Sequence, residues 1–265
     1  MTPIAANPPQ PLPLLDPANI PNLDNVVTED GVPVESVFAE KQYRLLTDPL
    51  YNSWPGPGEG RPFLVMTNVG LFHTYKQPPL VPDCLLSLDV RAGEDLREKE
   101  NHSYFLWVFG KPPDVVIEIV SDKRGDEEDF KKSAYAHMRV SFYVIFDPDD
   151  LLRGGVLRAY ALHRGKYKAI APRWLPAVGL GLTLWQGAYE GATDTWLRWC
   201  DREGRVIPSG GERAVEATQK VDAAIQRVDE AIQKVNEATR KADEANQKAE
   251  RLAAQLRALG VKPEV

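Results

Sequence analysis

Residues 114–121 read DVVIEIVS, and within them Val115 to Val120 form an apolar run that contains one carboxylate, Glu118. A short run rich in β-branched residues is typical of a buried strand. Side chains alternate between the faces of a strand, so Glu118 shares its face with Val116 and Val120. A buried carboxylate requires a compensating charge or metal. We therefore expect Glu118 to have a cationic partner; the alternative is a solvated or salt-bridged face.

A second acid, Asp83, follows Pro82 at the start of another predicted strand, Cys84 to Val90. Alone, a Pro-Asp pair marks a turn or the entry to a strand. The chain between Asp83 and Glu118 is long enough to return as an adjacent strand, which would bring the two carboxylates together. Such a pair fits Mg²⁺, which proteins bind through one or two carboxylates and a substrate phosphate.

A basic residue for the same site could come from the helix predicted over residues 126–139. Lys131 lies on one helical face with Ala134, Tyr135 and Met138, at i+3, i+4 and i+7. Lys132 is rotated about 100° away from that face. A lysine among core-facing residues indicates a buried partner, whereas a solvated surface role is the alternative for either lysine.

The surrounding pattern predicts an α/β domain with a mixed sheet over residues 34–208. A helix is expected over residues 35–51, before the Pro-Gly-Pro-Gly loop at 55–58. Strands are expected at residues 63–66, 71–75, 84–90, 115–120 and 142–146, with a hairpin at 156–171. A strand, helix and strand in succession build a mixed sheet. Residues 180–185 and 196–200 either extend the sheet or cover an edge.

Both ends of the chain differ from this domain. Residues 1–33 contain eight prolines, which predicts an extended arm. Residues 209–265 form the third segment, in which a seven-residue repeat runs from Gln219 to Leu259. One apolar column contains Val221, Val228, Val235, Ala242, Ala249 and Leu256, and the column four residues on contains Ile225, Ile232, Thr239, Asn246 and Ala253.

This spacing is typical of a coiled-coil seam, so we expect a homo-oligomer assembled through residues 219–259. The alternative is a long helix packed on its own domain. Asn246 in the seam either fixes the register of the strands or is a mildly unfavourable polar residue in a weak seam.

The net charge and the cysteine and histidine content exclude some classes of function. From Glu212 to Val265 ten acids balance ten bases, so the net charge of −6 lies wholly in the rest of the chain. This argues against a protein that coats DNA through a basic surface. Two cysteines and four histidines without ligand spacing give no disulfide framework or zinc site. We expect a cytoplasmic protein without a signal peptide or membrane span.

Four motifs in this order resemble the bacterial Uma2 family of restriction endonucleases, within the PD-(D/E)XK nuclease superfamily. They are Pro82-Asp83, the stretch PPDVVIEIVS at 112–121, KKSAY at 131–135 and FYVIFDP at 142–148. The resemblance covers roughly residues 35–148 with the hairpin beyond, and residues 250–260 are similar to tails common in such proteins. It implies a restriction-endonuclease-like mixed β-sheet flanked by helices.

The resemblance also implies roles for particular residues. Asp83 and Glu118 would be catalytic ligands of Mg²⁺, with Mn²⁺ as a substitute, and the Ile119 carbonyl would lie near the metal. Glu35 matches an acidic position sometimes found beside it. In the wider superfamily a lysine stands two residues after the second acid, where this chain has Val120. Lys131 matches the place in the following helix to which the family has moved that lysine.

Two functions follow as hypotheses. The first is a Mg²⁺-dependent endonuclease that hydrolyses phosphodiester bonds of DNA, favoured by Asp83, Glu118 and Lys131. The second is a catalytically inactive nuclease fold that serves as an interaction or scaffold protein and is oligomerised by its coiled coil. The second is favoured by the charge of −6 and by the lack of a basic stripe. A fold by itself does not decide between them.

Overall fold

The computed structural model describes residues 36–121 and 127–259. The proline-rich arm at 1–33 and Glu35 lie outside this part of the chain. The helices are α1 Val37–Asn52, α2 Leu106–Phe109, α3 Lys132–His137 and α4 Gly210–Ala258. The strands are β1 Phe63–Thr67, β2 Leu71–Phe72, β3 Cys84–Leu88, β4 Tyr104–Phe105, β5 Val115–Ile119, β6 Phe142–Phe146, β7 Leu157–His163, β8 Lys166–Ile170, β9 Gly181–Tyr189 and β10 Ala192–Cys200.

The main sheet is mixed, as the sequence predicts. Its six strands lie in the order β1-β3-β5-β6-β7-β8, and every neighbouring pair is antiparallel except β5 and β6. The connection from β5 to β6 carries α3, because parallel neighbours need a crossover. Strands β3 and β5 are direct neighbours, with Cys84 opposite Ile117. The two predicted acids therefore stand at the ends of adjacent strands.

The sheet is covered on both faces, which explains why β5 is buried along its whole length. On one face Val115, Ile117 and Ile119 belong to a core that α1 and the hairpin β9–β10 complete. On the other face Val116 and Val120 pack with residues of α3 and its surroundings, among them Tyr135 and Met138. Glu118 lies on this second face and is fully buried. The solvated face is therefore excluded, whereas the salt bridge that the same alternative allows is present, between Glu118 and Lys131.

Helix α1 is held on the sheet by a buried amide. Gln42 is fully buried, and its side chain donates to the Leu197 carbonyl at 2.8 Å and accepts from the Leu197 N–H at 2.9 Å. The indole N–H of Trp199 donates to the Leu46 carbonyl at 2.8 Å. These contacts join α1 to β10. Because a buried polar group is stable only when bonded, they fix α1 in one position.

Residues 181–200 do not extend the main sheet. Strands β9 and β10 form a separate two-stranded antiparallel sheet that packs over α1. Short segments 71–72 and 104–105 form a further parallel pair. The predicted strand 71–75 is thus shorter than expected, and the helix predicted over 126–139 consists in its described part of a π-helical turn, Glu127–Lys131, followed by α3.

The chain divides into two compact units, Met1–Gly210 and Gly211–Val265. The second unit consists of α4 in its described part, and the long C-terminal helix predicted from the repeat is confirmed. No described helix has the length and apolar character to cross a membrane.

Candidate active site

Asp83 is fixed from two sides at the end of β3. Its Oδ2 accepts a 2.7 Å hydrogen bond from the main-chain N–H of Ile119 at the end of β5. Its Oδ1 accepts a 2.5 Å hydrogen bond from the hydroxyl of Tyr43 on α1. The first bond ties the carboxylate to the residue that follows Glu118, so both acids are held at the same end of the sheet.

Glu118 is bound by two side chains from the segment that follows β5. Lys131 Nζ donates to Oε2 at 2.8 Å, and the Tyr135 hydroxyl donates to Oε1 at 2.6 Å. The cationic partner expected for this buried acid is therefore present, and it is Lys131. Its side chain keeps about a quarter of its surface exposed, at 26%, against 1% for Glu118.

A local departure from α-helical geometry accompanies this arrangement. Lys131 ends the π-helical turn, and Tyr135 lies four positions later in α3. A π-turn inserts an extra residue into a helix and occurs often at functional sites. Here Lys131 and Tyr135 both reach the same carboxylate. Lys132, the next residue, lies instead with its Nζ 3.5 Å from the ring centroid of Tyr160.

Burial dominates the electrostatics of the site. It raises the pKa of Glu118 to about 8; Lys131 opposes this rise, and the nearby Asp83 adds to it. The ion pair with Lys131 lowers the pKa of Glu118, whereas desolvation raises it. Desolvation is the stronger of the two effects, so the pKa is raised. Burial next to Glu118 also raises the pKa of Tyr135 well above its ordinary value, so its hydroxyl remains a donor at neutral pH.

The residues fit a two-carboxylate site for a divalent cation. No three described His, Cys, Asp or Glu side chains are grouped so as to hold a metal ion. Mg²⁺, however, is commonly bound by only one or two carboxylates, with water and substrate phosphate completing its shell. Asp83 adds to the cost of ionising Glu118, and a divalent cation would relieve that cost. Asp83 and Glu118 would hold it.

The other sequence-based candidates occupy different places. Glu35 lies outside the described residues. The N–H of Ile119 binds Asp83, and since the N–H and C=O of one strand residue point to the same side, its carbonyl lies on the Asp83 side of β5. Asp114, the acid immediately before β5 and not one of these candidates, lies outside the site, because its carboxylate binds the Leu88 N–H at 2.8 Å and Lys111 at 2.5 Å.

Sequence reasoning missed Tyr43 as a contact of the site. It comes from α1, forty positions before Asp83, and packs beside the core on the opposite face from Glu118. No periodicity or motif marks it, since only the docking of α1 brings it near Asp83. Tyr135 had a signal, because it stands four residues after Lys131 on the same helical face.

A family model described as "Putative restriction endonuclease" matches residues 32–171, which is more than half of the chain. A solved structure entitled as a "putative nuclease belonging to DUF820" from Anabaena variabilis is 15% identical, with a TM-score of 0.35, covering 54% of this chain and 73% of the other. No curated protein matches the chain.

Proposed function

Because the chain belongs to the Uma2 family of restriction endonucleases, we propose that it hydrolyses phosphodiester bonds of DNA at a site built on Asp83, Glu118 and Lys131. The observation that carries this proposal is that a lysine and a tyrosine bind one buried carboxylate, Glu118, while a second acid, Asp83, lies near enough to affect its ionisation. Family membership, expected from the four sequence motifs, is confirmed. The residue roles and the reaction are the proposal.

Each side chain has a separate task in the proposed reaction. Asp83 and Glu118 hold the divalent cation, Mg²⁺ or Mn²⁺, with the Ile119 carbonyl and Glu35 as further candidate ligands. When bound, the cation would polarise the scissile phosphate and lower the pKa of a water molecule. Lys131 orients that water or offsets negative charge that develops on the phosphate. Tyr43 and Tyr135 hold the two carboxylates in place.

The acidic charge of the globular part restricts how DNA would be held. With the whole net charge of −6 outside residues 212–265, the domain lacks the excess of bases on which sequence-independent phosphate binding normally rests. We therefore expect weak binding of DNA without cations and tighter binding with them, since the cation supplies positive charge at the site itself.

The test is cleavage of plasmid and of single-stranded DNA by the purified full chain in Mg²⁺ or Mn²⁺. We expect the natural protein to cleave DNA. We expect the cleavage rates of Asp83→Ala and Glu118→Ala to be lower by a factor on the order of a hundred or more. Asp89→Ala is the matched control, because Asp89 pairs with Arg61 outside the site. Full activity in both site variants would refute the assignment of the site.

A scaffold function is the second candidate, and one observation favours it. All four carboxylate oxygens of Asp83 and Glu118 already accept a hydrogen bond from the protein. A network of this kind also stabilises a fold that binds no metal. Absence of cleavage on every substrate, together with no rise in melting temperature on adding Mn²⁺, would favour the scaffold.

The chain is further proposed to form a homo-oligomer and to act in the cytoplasm. The heptad columns of α4 support a homo-oligomer joined through residues 219–259. A reducing cytoplasm is supported by the two cysteines, Cys84 and Cys200, which are both free and buried.

A further inference from the structure

The long helix α4 presents an apolar stripe to solvent. None of its side chains, all of which the structure describes, is buried. The exposed fractions of the large apolar residues on this stripe lie between 39% and 63% at Val221, Ile225, Val228, Ile232, Val235, Leu252 and Leu256. Single exposed apolar residues are ordinary, but a continuous stripe of them marks an interaction surface.

The stripe is three columns wide, and its two edges carry opposite charge. Its centre is the column that begins at Val221, and its sides are the columns that begin at Ile225 and at Ala224. At 100° per residue, one edge is basic and the other is acidic. The basic edge consists of Lys220, Arg227, Lys234, Lys241 and Lys248; the acidic edge consists of Asp222, Asp229, Asp243 and Glu250, with Asn236 between them.

This arrangement distinguishes the two ways in which two copies can pair. When two identical helices pack parallel around a two-fold axis, the left edge of one meets the right edge of the other. The basic edge of each copy then faces the acidic edge of its partner. When they pack antiparallel, like edges meet, so acids face acids and bases face bases. Like charges in contact disfavour an arrangement.

The alanines beside the basic edge make the parallel contact feasible. Ala224, Ala231, Ala238 and Ala245 are small, so the aliphatic stems of the neighbouring lysines and Arg227 can lie across them toward the partner's acids. In the single chain, Lys220 pairs with Glu216 and Lys241 pairs with Glu237 of the same helix. Exposed pairs at i,i+4 contribute little, so exchanging partners costs little.

The apolar stripe also differs between its two halves. Isoleucine and valine fill it from Val221 to Val235, whereas Thr239, Ala242, Asn246 and Ala249 follow. In-register parallel pairing sets the large residues against each other and Asn246 against Asn246, a pairing that favours one register. Antiparallel pairing would instead set Asn246 against the large apolar half of the partner, where its amide would lose that polar partner.

We propose that copies of this chain associate through α4 in parallel and in register. The proposal rests on the self-assembly proposed above and adds its direction, but it is independent of nuclease activity. Parallel pairing attaches all globular units at the same end of the paired helices. Antiparallel pairing would separate the two helix starts by about 70 Å, from the length of α4 and the rise per residue.

Cysteine cross-linking of the full chain tests the direction. Val221→Cys and Leu256→Cys place a thiol near opposite ends of the stripe, and the natural Cys84 and Cys200 are buried, so the unaltered protein is the control. We expect each variant, oxidised alone, to form a disulfide-linked dimer. In an antiparallel pair the two Val221→Cys thiols would stand about 50 Å apart.

The outcomes test self-association and its parallel direction separately. Cross-links that form only after the two variants are mixed would overturn the parallel direction and leave self-assembly standing. A monomeric mass in light scattering at high protein concentration would overturn both. Neither outcome bears on DNA cleavage, which is assayed separately.

Charge reversal tests the role of the edges. The quadruple variant Asp222→Lys, Asp229→Lys, Asp243→Lys, Glu250→Lys has two basic edges, and we expect its self-association to weaken on the order of tenfold or more. Mixing it with a variant whose five basic-edge residues are changed to Glu should restore association. Circular dichroism verifies that both remain helical. Unchanged association of the quadruple variant would contradict the complementarity of the edges.

Discussion

The hydroxyl of Tyr43 lies 2.5 Å from Oδ1 of Asp83, forty positions later in the chain. The bond joins the first helix of the fold to the end of β3, so α1 takes part in positioning an acid of the proposed site. A hydrogen bond to a charged group contributes on the order of 1.5–3 kcal/mol. This relationship can be tested without removing either acid.

Tyr43→Phe should reduce cleavage by about tenfold to a hundredfold through looser positioning of Asp83. Tyr51→Phe is the matched control. Tyr51 lies on the same helix and its hydroxyl contacts the main chain of Val65, not a carboxylate. The readouts are the rate constant of cleavage and the Mn²⁺ concentration at half-maximal activity. Equal effects of the two substitutions would show that Tyr43 acts only through the stability of α1.

The adjacent residues Lys131 and Lys132 allow a second comparison, between a lysine inside the proposed site and one outside it. Lys131 binds Glu118 at 2.8 Å, whereas Lys132 contacts the ring of Tyr160. Lys131→Met should lower the rate constant of cleavage by on the order of a hundredfold or more, because a positive charge at the reacting phosphate is lost. Lys132→Met should retain activity within a few-fold. Comparable losses in the two variants would count against a specific role for Lys131.

The raised pKa of Glu118 makes stability depend on pH in the metal-free protein. With a folded pKa of about 8, above its ordinary value, the folded state binds this proton more tightly than the unfolded state. The binding of this proton therefore stabilises the folded state fully at a pH below the ordinary pKa of a glutamate. That stabilisation is lost as the pH rises through about 8. Glu118→Gln has no such proton to lose.

We expect the free energy of unfolding of Glu118→Gln, relative to the natural protein, to rise with pH between 5 and 8. The slope should not exceed about 1.4 kcal/mol per pH unit. Urea unfolding in EDTA measures it. Glu190→Gln is the control without a slope in this range, because Lys41 lowers the pKa of exposed Glu190. A difference that stays constant from pH 5 to pH 9 would contradict the burial argument.

Gln42→Leu tests the amide that holds α1 on β10. The change leaves the buried N–H and C=O of Leu197 without their partner, at a cost on the order of 1–3 kcal/mol for each group. Gln186→Leu, at an exposed position of β9, should change the free energy of unfolding by no more than about 0.5 kcal/mol. Similar values for both variants would show that the buried amide has no special weight.

The sequence predicted those parts of the fold that depend on local pattern. The apolar run 115–120 predicted β5, and the valines beside Glu118 predicted that its face is buried. The spacing of one helix face distinguishes Lys131 from Lys132, the family resemblance assigns Lys131 to the site, and the structure places its Nζ against Glu118. The mixed sheet and the long C-terminal helix followed from periodicity in the same way.

The remaining features depend on contacts between distant segments. Tyr43 and Gln42 lie next to each other on α1, yet their partners are on β3 and β10. Nothing near them in the sequence encodes either contact. The hairpin β9–β10 was ambiguous for the same reason, because alternating residues predict a strand but not the sheet to which it belongs.

The amide bridge between Gln42 and Leu197 has a practical consequence for deciding where the nuclease-like domain ends. The family match stops at residue 171, but the partner that seats α1, and with it Tyr43, lies on β10. The end of the family match and the end of the compact unit therefore differ here. A fragment designed from the match alone would lack the strand that holds α1, and with it Tyr43, beside the candidate site.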